Sequence, residues 1–523
     1  MKTWIFIGLF IASVLALGIR LPQLDRRPLH NDEAINAWKL ETLWSQGQYK
    51  YDPDEYHGPT LYYFSLPFLK FFAPSDAQQW SDAHLRLVTI FFGAAIILLS
   101  WLLLDGLGWP AVLAAALLTA ISPAMTFYSR YFIHEMLLIF FTLLLVGSVW
   151  RYTRAKHPGW LAVAGAAIGL MWATKETFVL AIAAMALAIV LLHFWMLNTT
   201  GQPLLVKSGW NYRHAILALF VTIAVAIVFY SSFFTNPSGI VDAIKTYLPW
   251  TKRAGGASPH NHPWYWYFQH LFFFHPVVRG KGPFWSETLV LLLFIVGAVS
   301  ALVGRSMPGV SIPFARFLLL YTTLLSAIYA AISYKTPWCM LGFYHGMILI
   351  AGLGAYALWQ WAKNRLARSA IMVVLAAGLG HLAWQTWRAN WPMASSPQNP
   401  YTYSQTSTHI LELIKRLRGL AAVHPDGKNM VIYAVSSESY WPLPWYLRDF
   451  KRIGWFEEMP SQPYPPVLIV NARLEAYLDE KTNKKWIMAG LFELRPKVAL
   501  ELYVNFDFWK KYVETLPRTP PDE

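Results

Sequence analysis

Just after the first apolar run of the chain comes "RPLHNDEAINAW", residues 27 to 38, in which His30 stands beside two adjacent carboxylates, Asp32 and Glu33. A carboxylate at the edge of a membrane segment can take the proton of an attacking hydroxyl. It can also do something plainer: Asn31-Asp32 before "EAINAWKL" suits a helix N-cap, with Glu33 in the first turn. That accounts for one carboxylate but not for the acidic cluster farther along. There "YDPDEYHGPTLYYFSLPF", residues 51 to 68, adds Asp52, Asp54, Glu55 and His57 before a Gly-Pro turn and an aromatic run suited to a membrane interface.

Shorter turns supply the opposite charge. "SPAMTFYSRYFIHEMLL", residues 122 to 138, carries Arg130, His134 and Glu135 at the start of an apolar helix, and a spacing of four places Arg130 and His134 on one face. "WATKETFVL" offers Lys175 and Glu176, and "SYKTPWCMLGF" offers Lys335. Each cation could simply snorkel to lipid headgroups. Yet every short turn on that side contributes a charge, and a helical bundle would let them converge. The candidate catalytic pair is therefore Asp32 and Glu33, with His57, Arg130, His134, Glu135, Lys175, Glu176 and Lys335 as candidate substrate-binding groups.

The elements that must position these groups are membrane helices. The 523 residues are 56% hydrophobic and 14% charged, against about a quarter charged in a soluble domain. About eleven apolar segments are long enough to cross a bilayer: 4–20, 86–104, 110–127, 133–150, 160–174, 177–196, 214–234, 286–303, 316–333, 340–360 and 369–387. Lys2 before the first could open a signal peptide, but no small-residue cleavage site follows, so an uncleaved helix is expected. Basic residues are biased to alternate short loops. Arg151, Arg154, Lys156, Lys207, Arg213, Arg305, Arg316, Lys363, Arg365 and Arg368 define a cytoplasmic side, against Arg130, Lys175 and Lys335 opposite. This predicts a cytoplasmic N-terminus, large external loops at 21–85 and 235–285, and a membrane domain over 1–387 in the cell inner (plasma) membrane. The formal charge of +14 is dispersed over loops, which points to anionic lipid as partner rather than nucleic acid. Cys339 is the single cysteine, so disulfides play no part.

After residue 388 the texture changes. "NWPMASSPQNP" reads as a linker, "HILELIKRLRGL" as a helix, and "MVIYAV", "VLIVNA" and "VALELYV" as strands, giving a small extracytoplasmic α/β domain over 388–523. In the long loop, His260, His262, His270 and His275 invite a metal reading. Their spacing fits no closed site, and the surrounding Trp, Tyr and Phe suit an interfacial segment that docks on lipid or gates substrate. No cofactor is read from the sequence; a divalent ion is an alternative with no ligand set behind it.

The "DEA" loop, its companion "HGPTLYY", the "SRY..HE" turn, "TKET", "SYKTPW" and "WPLPWYLRDF" together resemble the GT-C membrane glycosyltransferases. The nearest group is the dolichyl-phosphate-mannose protein mannosyltransferase-like family, in its flippase-activity-associated prokaryotic branch. The resemblance implies an α-helical polytopic GT-C-like bundle and transfer of a hexosyl or mannosyl-type sugar from a polyprenyl-phosphate donor to a protein, glycan or lipid acceptor outside the cell. It gives Asp32 the role of base with Glu33 as neighbour, and makes Glu135 the acidic residue of the second turn, where many relatives carry Asp. Such chemistry needs one carboxylate to deprotonate the acceptor and a cation, Arg130, Lys175 or Lys335, for the departing phosphate, and it inverts the anomeric carbon. Two other classes compete: a lipid-linked glycan transporter, which expects charges at helix midpoints and inverted repeats, and a flippase-associated scaffold that docks a partner through its C-terminal domain.

Overall fold

The computed structural model describes residues 2–54, 57–201, 211–256, 258–276 and 281–517. Glu55 and Lys207 lie outside the described residues. Every expected apolar segment is a helix. Eight are long and apolar enough to cross a membrane, from the helix that opens the chain to Arg365–Asn390, and two apolar helices, Pro158–Trp172 and Thr288–Val303, are shorter. The remaining segment, 110–127, is broken: Trp109–Ile121 and Pro123–Ser129 meet at 60°. Pro123 cannot donate into the preceding helix, while the Ser122 hydroxyl accepts Met125 N–H at 3.2 Å and caps the second piece.

The helix Leu341–Trp361 runs through the middle of the bundle, buried for most of its length. Lipid offers no hydrophobic drive between helices, so close approach over small residues holds them. At Gly354 a Cβ would stand 1.9 Å from the carbonyl oxygen of Leu293, so Thr288–Val303 can lie against this helix only over glycine.

The two large loops are folded. The first contains the helices Asn31–Gln46 and Thr60–Phe72; the second contains Ser238–Lys245, Tyr247–Gly255 and Trp266–Phe272. Both pack at one end of the bundle, where Thr246 Oγ1 donates to Pro53 O at 2.9 Å.

The C-terminal unit follows Arg365–Asn390. The helix His409–Val423 buries Ile410, Leu413, Ile414, Leu417 and Leu420, one apolar face at helical spacing. Strands β1 (Val431–Val435), β2 (Arg452–Phe456), β3 (Val467–Asn471), β4 (Trp486–Arg495) and β5 (Val498–Asn505) form one sheet in the order β2-β1-β3-β5-β4. Strands β2, β1 and β3 run parallel, and β3, β5 and β4 pair antiparallel. The continuous apolar run of β3 matches its burial on both faces.

Candidate active site

The neighbours Asp32 and Glu33 point to different worlds. Their helix starts at Asn31 with His30 as N-cap: Asp32 N–H donates to His30 Nδ1 at 3.1 Å, and His30 N–H donates to Glu33 Oε2 at 3.0 Å. The cap is thus His30, one residue before the Asn-Asp expected from sequence. Glu33 is fully buried. Arg86 grips it bidentately, Nε to Oε1 and Nη2 to Oε2 both at 2.8 Å, Arg27 stands 3.7 Å away, and Phe132 N–H donates to Oε1 at 2.9 Å. Burial pushes this carboxyl up, but the guanidiniums of Arg86 and Arg27 and the hydrogen bonds outweigh it and hold the group below the usual range. With every lone pair engaged, Glu33 has no access to a substrate, which corrects its place in the candidate catalytic pair.

Asp32, one residue earlier on the helix, leaves 44% of its side chain exposed. It faces a cavity of about 340 Å³ that is also lined by Asn36, His57, His134, Glu135, Lys175 and Trp338. The walls come from segments far apart in sequence, and backbone contacts lace them together. Gly58 N–H donates to Thr174 O and Thr60 N–H to Ala173 O, both at 3.1 Å, so "HGPT" lies flush on the "TKET" turn. A Cβ at Gly58 would come within 2.1 Å of Ala173 O, which explains the glycine. The Phe132 carbonyl accepts Asn36 Nδ2 at 3.0 Å and ties the second turn to the first loop.

Within these walls the ionic groups are paired. Lys175 is buried and ion-paired with Glu135. Burial favours the neutral amine, and the Glu135 carboxylate overrides it and raises the Lys175 ammonium. His57 Nδ1 lies 2.7 Å from Glu176 Oε2, and Tyr51 donates its hydroxyl to the other oxygen at 3.1 Å. Burial would raise Glu176, but His57 dominates and lowers it. His134 is pressed well below the ordinary imidazole value by burial and by the neighbouring His57 and Lys175. Its Nε2 donates to Gly58 O at 2.9 Å, which leaves Nδ1 a buried acceptor with no partner among the described residues.

Two expected cations stand elsewhere. Arg130 ends the helix Pro123–Ser129, and His134 precedes Glu135–Ala155, so residues 130 to 134 form a turn and not one helical face. The Arg130 guanidinium lies over Trp391 at 5.1 Å, donates to Gln23 O at 3.2 Å, and shares a small separate cavity with Arg27 and Arg86. Lys335 turns back to the end of Ile312–Ala331, its ammonium donating to the carbonyls of Ala330 and Ile332. Its backbone nevertheless serves the cavity: Lys335 N–H donates to His260 O at 2.9 Å, and Tyr334 and Thr336 on either side line the wall.

The histidines of the second loop pair with aromatic and backbone groups and do not converge on one point. His260 Nδ1 is 2.6 Å from the Tyr403 hydroxyl and His262 Nε2 is 3.4 Å from it, while His270 and His275 contact the Trp266 and Pro283 carbonyls. Among the described residues no three His, Cys, Asp or Glu side chains converge to hold a metal ion. Burial lowers His260, and the Asp32 carboxylate opposes it, so this loop reaches the electrostatic range of the first.

Sequence reasoning missed Arg86, Asn36 and Trp250, the last of which also lines the Asp32 cavity. Arg86 carried a usable signal, a charge at the head of an apolar helix, which asks for a buried partner. Asn36 lies one turn beyond Asp32 on the same face. Trp250 sits in an interfacial stretch and gave none.

At this level the chain is a multi-pass membrane protein with the GT-C fold. Its backbone is similar to that of ArnT from Cupriavidus metallidurans bound to undecaprenyl phosphate, with TM-score 0.60 at 13% identity, covering 96% of this chain and 98% of that one. It is similar to the archaeal oligosaccharyltransferase AglB from Archaeoglobus fulgidus in complex with an inhibitory peptide and a dolichol-phosphate, with TM-score 0.56 at 14% identity, covering 86% of this chain and 64% of that one. In sequence, the family model of dolichyl-phosphate-mannose-protein mannosyltransferases matches residues 14–237, the portion that holds Asp32, Glu135 and Lys175. No curated protein sequence matches the chain.

Proposed function

We propose that the protein is an integral-membrane glycosyltransferase that moves a sugar from a polyprenyl-phosphate carrier to an acceptor hydroxyl. The observation that carries this reading is the single cavity in which the open carboxylate of Asp32 and the buried ammonium of Lys175 share one space at the end of a lipid-embedded bundle. Asp32 takes the proton of the acceptor hydroxyl as its oxygen attacks the anomeric carbon. The bond from that carbon to the phosphate oxygen breaks, and the phosphate leaves on its lipid with its negative charge met by Lys175. One displacement of this kind inverts the anomeric centre.

Two small apolar hollows, of about 30 and 20 Å³, mark a seam along which a lipid chain would enter in this reading only if the helices part. They continue from Glu135 and Lys175 along one side of Glu135–Ala155, past Leu138, Ile139, Thr142 and Val146, and between Ile312–Ala331 and Leu341–Trp361. The charge bias of the short loops supports a cytoplasmic N-terminus in the plasma membrane, with the cavity and the C-terminal unit outside. The sugar is of hexosyl type in this reading, and the acceptor a protein, glycan or lipid.

The test is incubation of the purified protein with a panel of lipid-phosphate hexoses and candidate acceptors, with products identified by mass. Transfer by the native chain and a loss of about 10²–10⁴-fold in Asp32→Asn is the expected result. Undiminished turnover in that variant would remove Asp32 from the mechanism.

A further inference from the structure

The C-terminal unit grips the backbone that leads into Asp32. Leu29 is fully buried and lies two residues before the helix Asn31–Gln46. Its N–H donates to the Tyr446 hydroxyl at 2.7 Å, and its carbonyl accepts Thr406 Oγ1 at 2.7 Å. One residue earlier, Pro28 O accepts Gln405 Nε2 at 3.0 Å. All three partners lie beyond the last membrane helix, about 380 to 420 residues away in sequence, a separation that local propensity cannot bridge. On either side of this stretch the contacts come from the membrane bundle: Arg86 Nη1 donates to Arg27 O at 2.8 Å, and Glu33 accepts His30 N–H.

Tyr446 is itself fixed. It donates its own hydroxyl to Asp82 Oδ2 at 2.5 Å, at the start of the helix that carries Arg86. Two residues on, Arg448 lies over Trp445 at 3.7 Å and donates to Trp80 O at 2.6 Å. The segment "WPLPWYLRDF" is therefore a docking element for the first loop. A buried backbone N–H and C=O must be satisfied, and at Leu29 only side chains of the C-terminal unit do it among the described residues.

We propose that Tyr446 and Thr406 are positioning residues: by holding both backbone polar groups of Leu29, the C-terminal unit sets where the helix bearing Asp32 begins and hence where its carboxylate points. The consequence for turnover rests on the glycosyl-transfer reading; the grip on the backbone does not. A catalytic group displaced by about an ångström loses most of its effect, so the rate of the chemical step, not donor affinity, is what this contact controls.

The experiment compares the full-length native chain with Tyr446→Phe, Thr406→Val and Thr406→Ser. Two quantities are read: hydrogen exchange of the Leu29 amide region, and kcat and KM for a lipid-phosphate sugar. Loss of the Tyr446 hydroxyl removes both the acceptor of Leu29 N–H and the donor to Asp82, and predicts at least about tenfold faster exchange over residues 27–36 in Tyr446→Phe. The same variant and Thr406→Val should lose about tenfold in kcat with KM within about twofold. Thr406→Ser keeps the donor and should match the native chain. Equal exchange and equal kcat in Tyr446→Phe and Thr406→Val overturn the proposal, as does a Thr406→Ser variant no better than Thr406→Val, which would mean a packing role. If the native chain transfers no sugar while the exchange difference stands, the glycosyl-transfer reading fails and the grip survives.

Discussion

Two charged regions lie within one helical turn of each other and behave in opposite ways. Around Glu33 everything is closed: Arg86, Arg27, a backbone amide from the second turn and the capping N–H saturate one carboxylate in a dry setting. Around Asp32 the groups are left open: an exposed carboxylate, an imidazole nitrogen with nothing to accept, and an ammonium whose one counter-charge also faces the void. Saturation marks a joint that holds the fold, and unfilled valence beside a hollow marks a place where something else binds.

Substitutions can break that contrast. Asp32→Asn should fold normally and lose about 10²–10⁴-fold in transfer, the usual weight of a general base. Glu33→Gln should do the reverse, leaving two buried guanidiniums under-compensated at a cost of about 3–5 kcal/mol, seen as a lower melting temperature and poor yield. Equal stability of the two variants would erase the distinction. Lys175→Met should cost about 10²–10³-fold in turnover with the donor, and Lys175→Arg should keep part of it, if the ammonium meets the phosphate.

His134 sharpens the comparison through pH. Its folded-state value lies well below the ordinary 6.5 because burial and the adjacent His57 and Lys175 exclude the proton. The unfolded chain therefore binds more protons below 6.5, and stability falls as pH drops beneath that value, with no loss above it. A His134→Gln variant should show a flatter stability profile between about pH 6.5 and 5 in thermal melts. The smallest effect is expected at Arg130→Gln: about 1 kcal/mol of stability from the lost Gln23 contact, and unchanged kcat, since this guanidinium is outside the cavity.

Much of the architecture could be read from the chain. Runs of apolar residues located every membrane helix, and the strands "MVIYAV", "VLIVNA" and "VALELYV" stood out because they are short runs rich in Val, Ile and Leu and largely buried. Strands β2, "RIGWF", and β4, "WIMAGLFELR", escaped because they are the two partly exposed edges of the sheet and each carries a glycine, Gly454 and Gly490. In the site, His57, Lys175 and Glu135 were legible because charges are rare at helix ends in so apolar a chain. The Arg130–His134 spacing misled because Ser122-Pro123 had already ended one helix and begun a seven-residue piece, so the four-residue period had no helix to act on. The burial of Glu33 could not be read from its own neighbours in sequence, since it depends on Arg86, a partner that only the folded chain brings close.

The Lys175–Glu135 pair has a consequence for any anionic headgroup that arrives. The ammonium it seeks is already spoken for, so docking is an exchange of anions about one cation, and the affinity registers only the difference between two pairings.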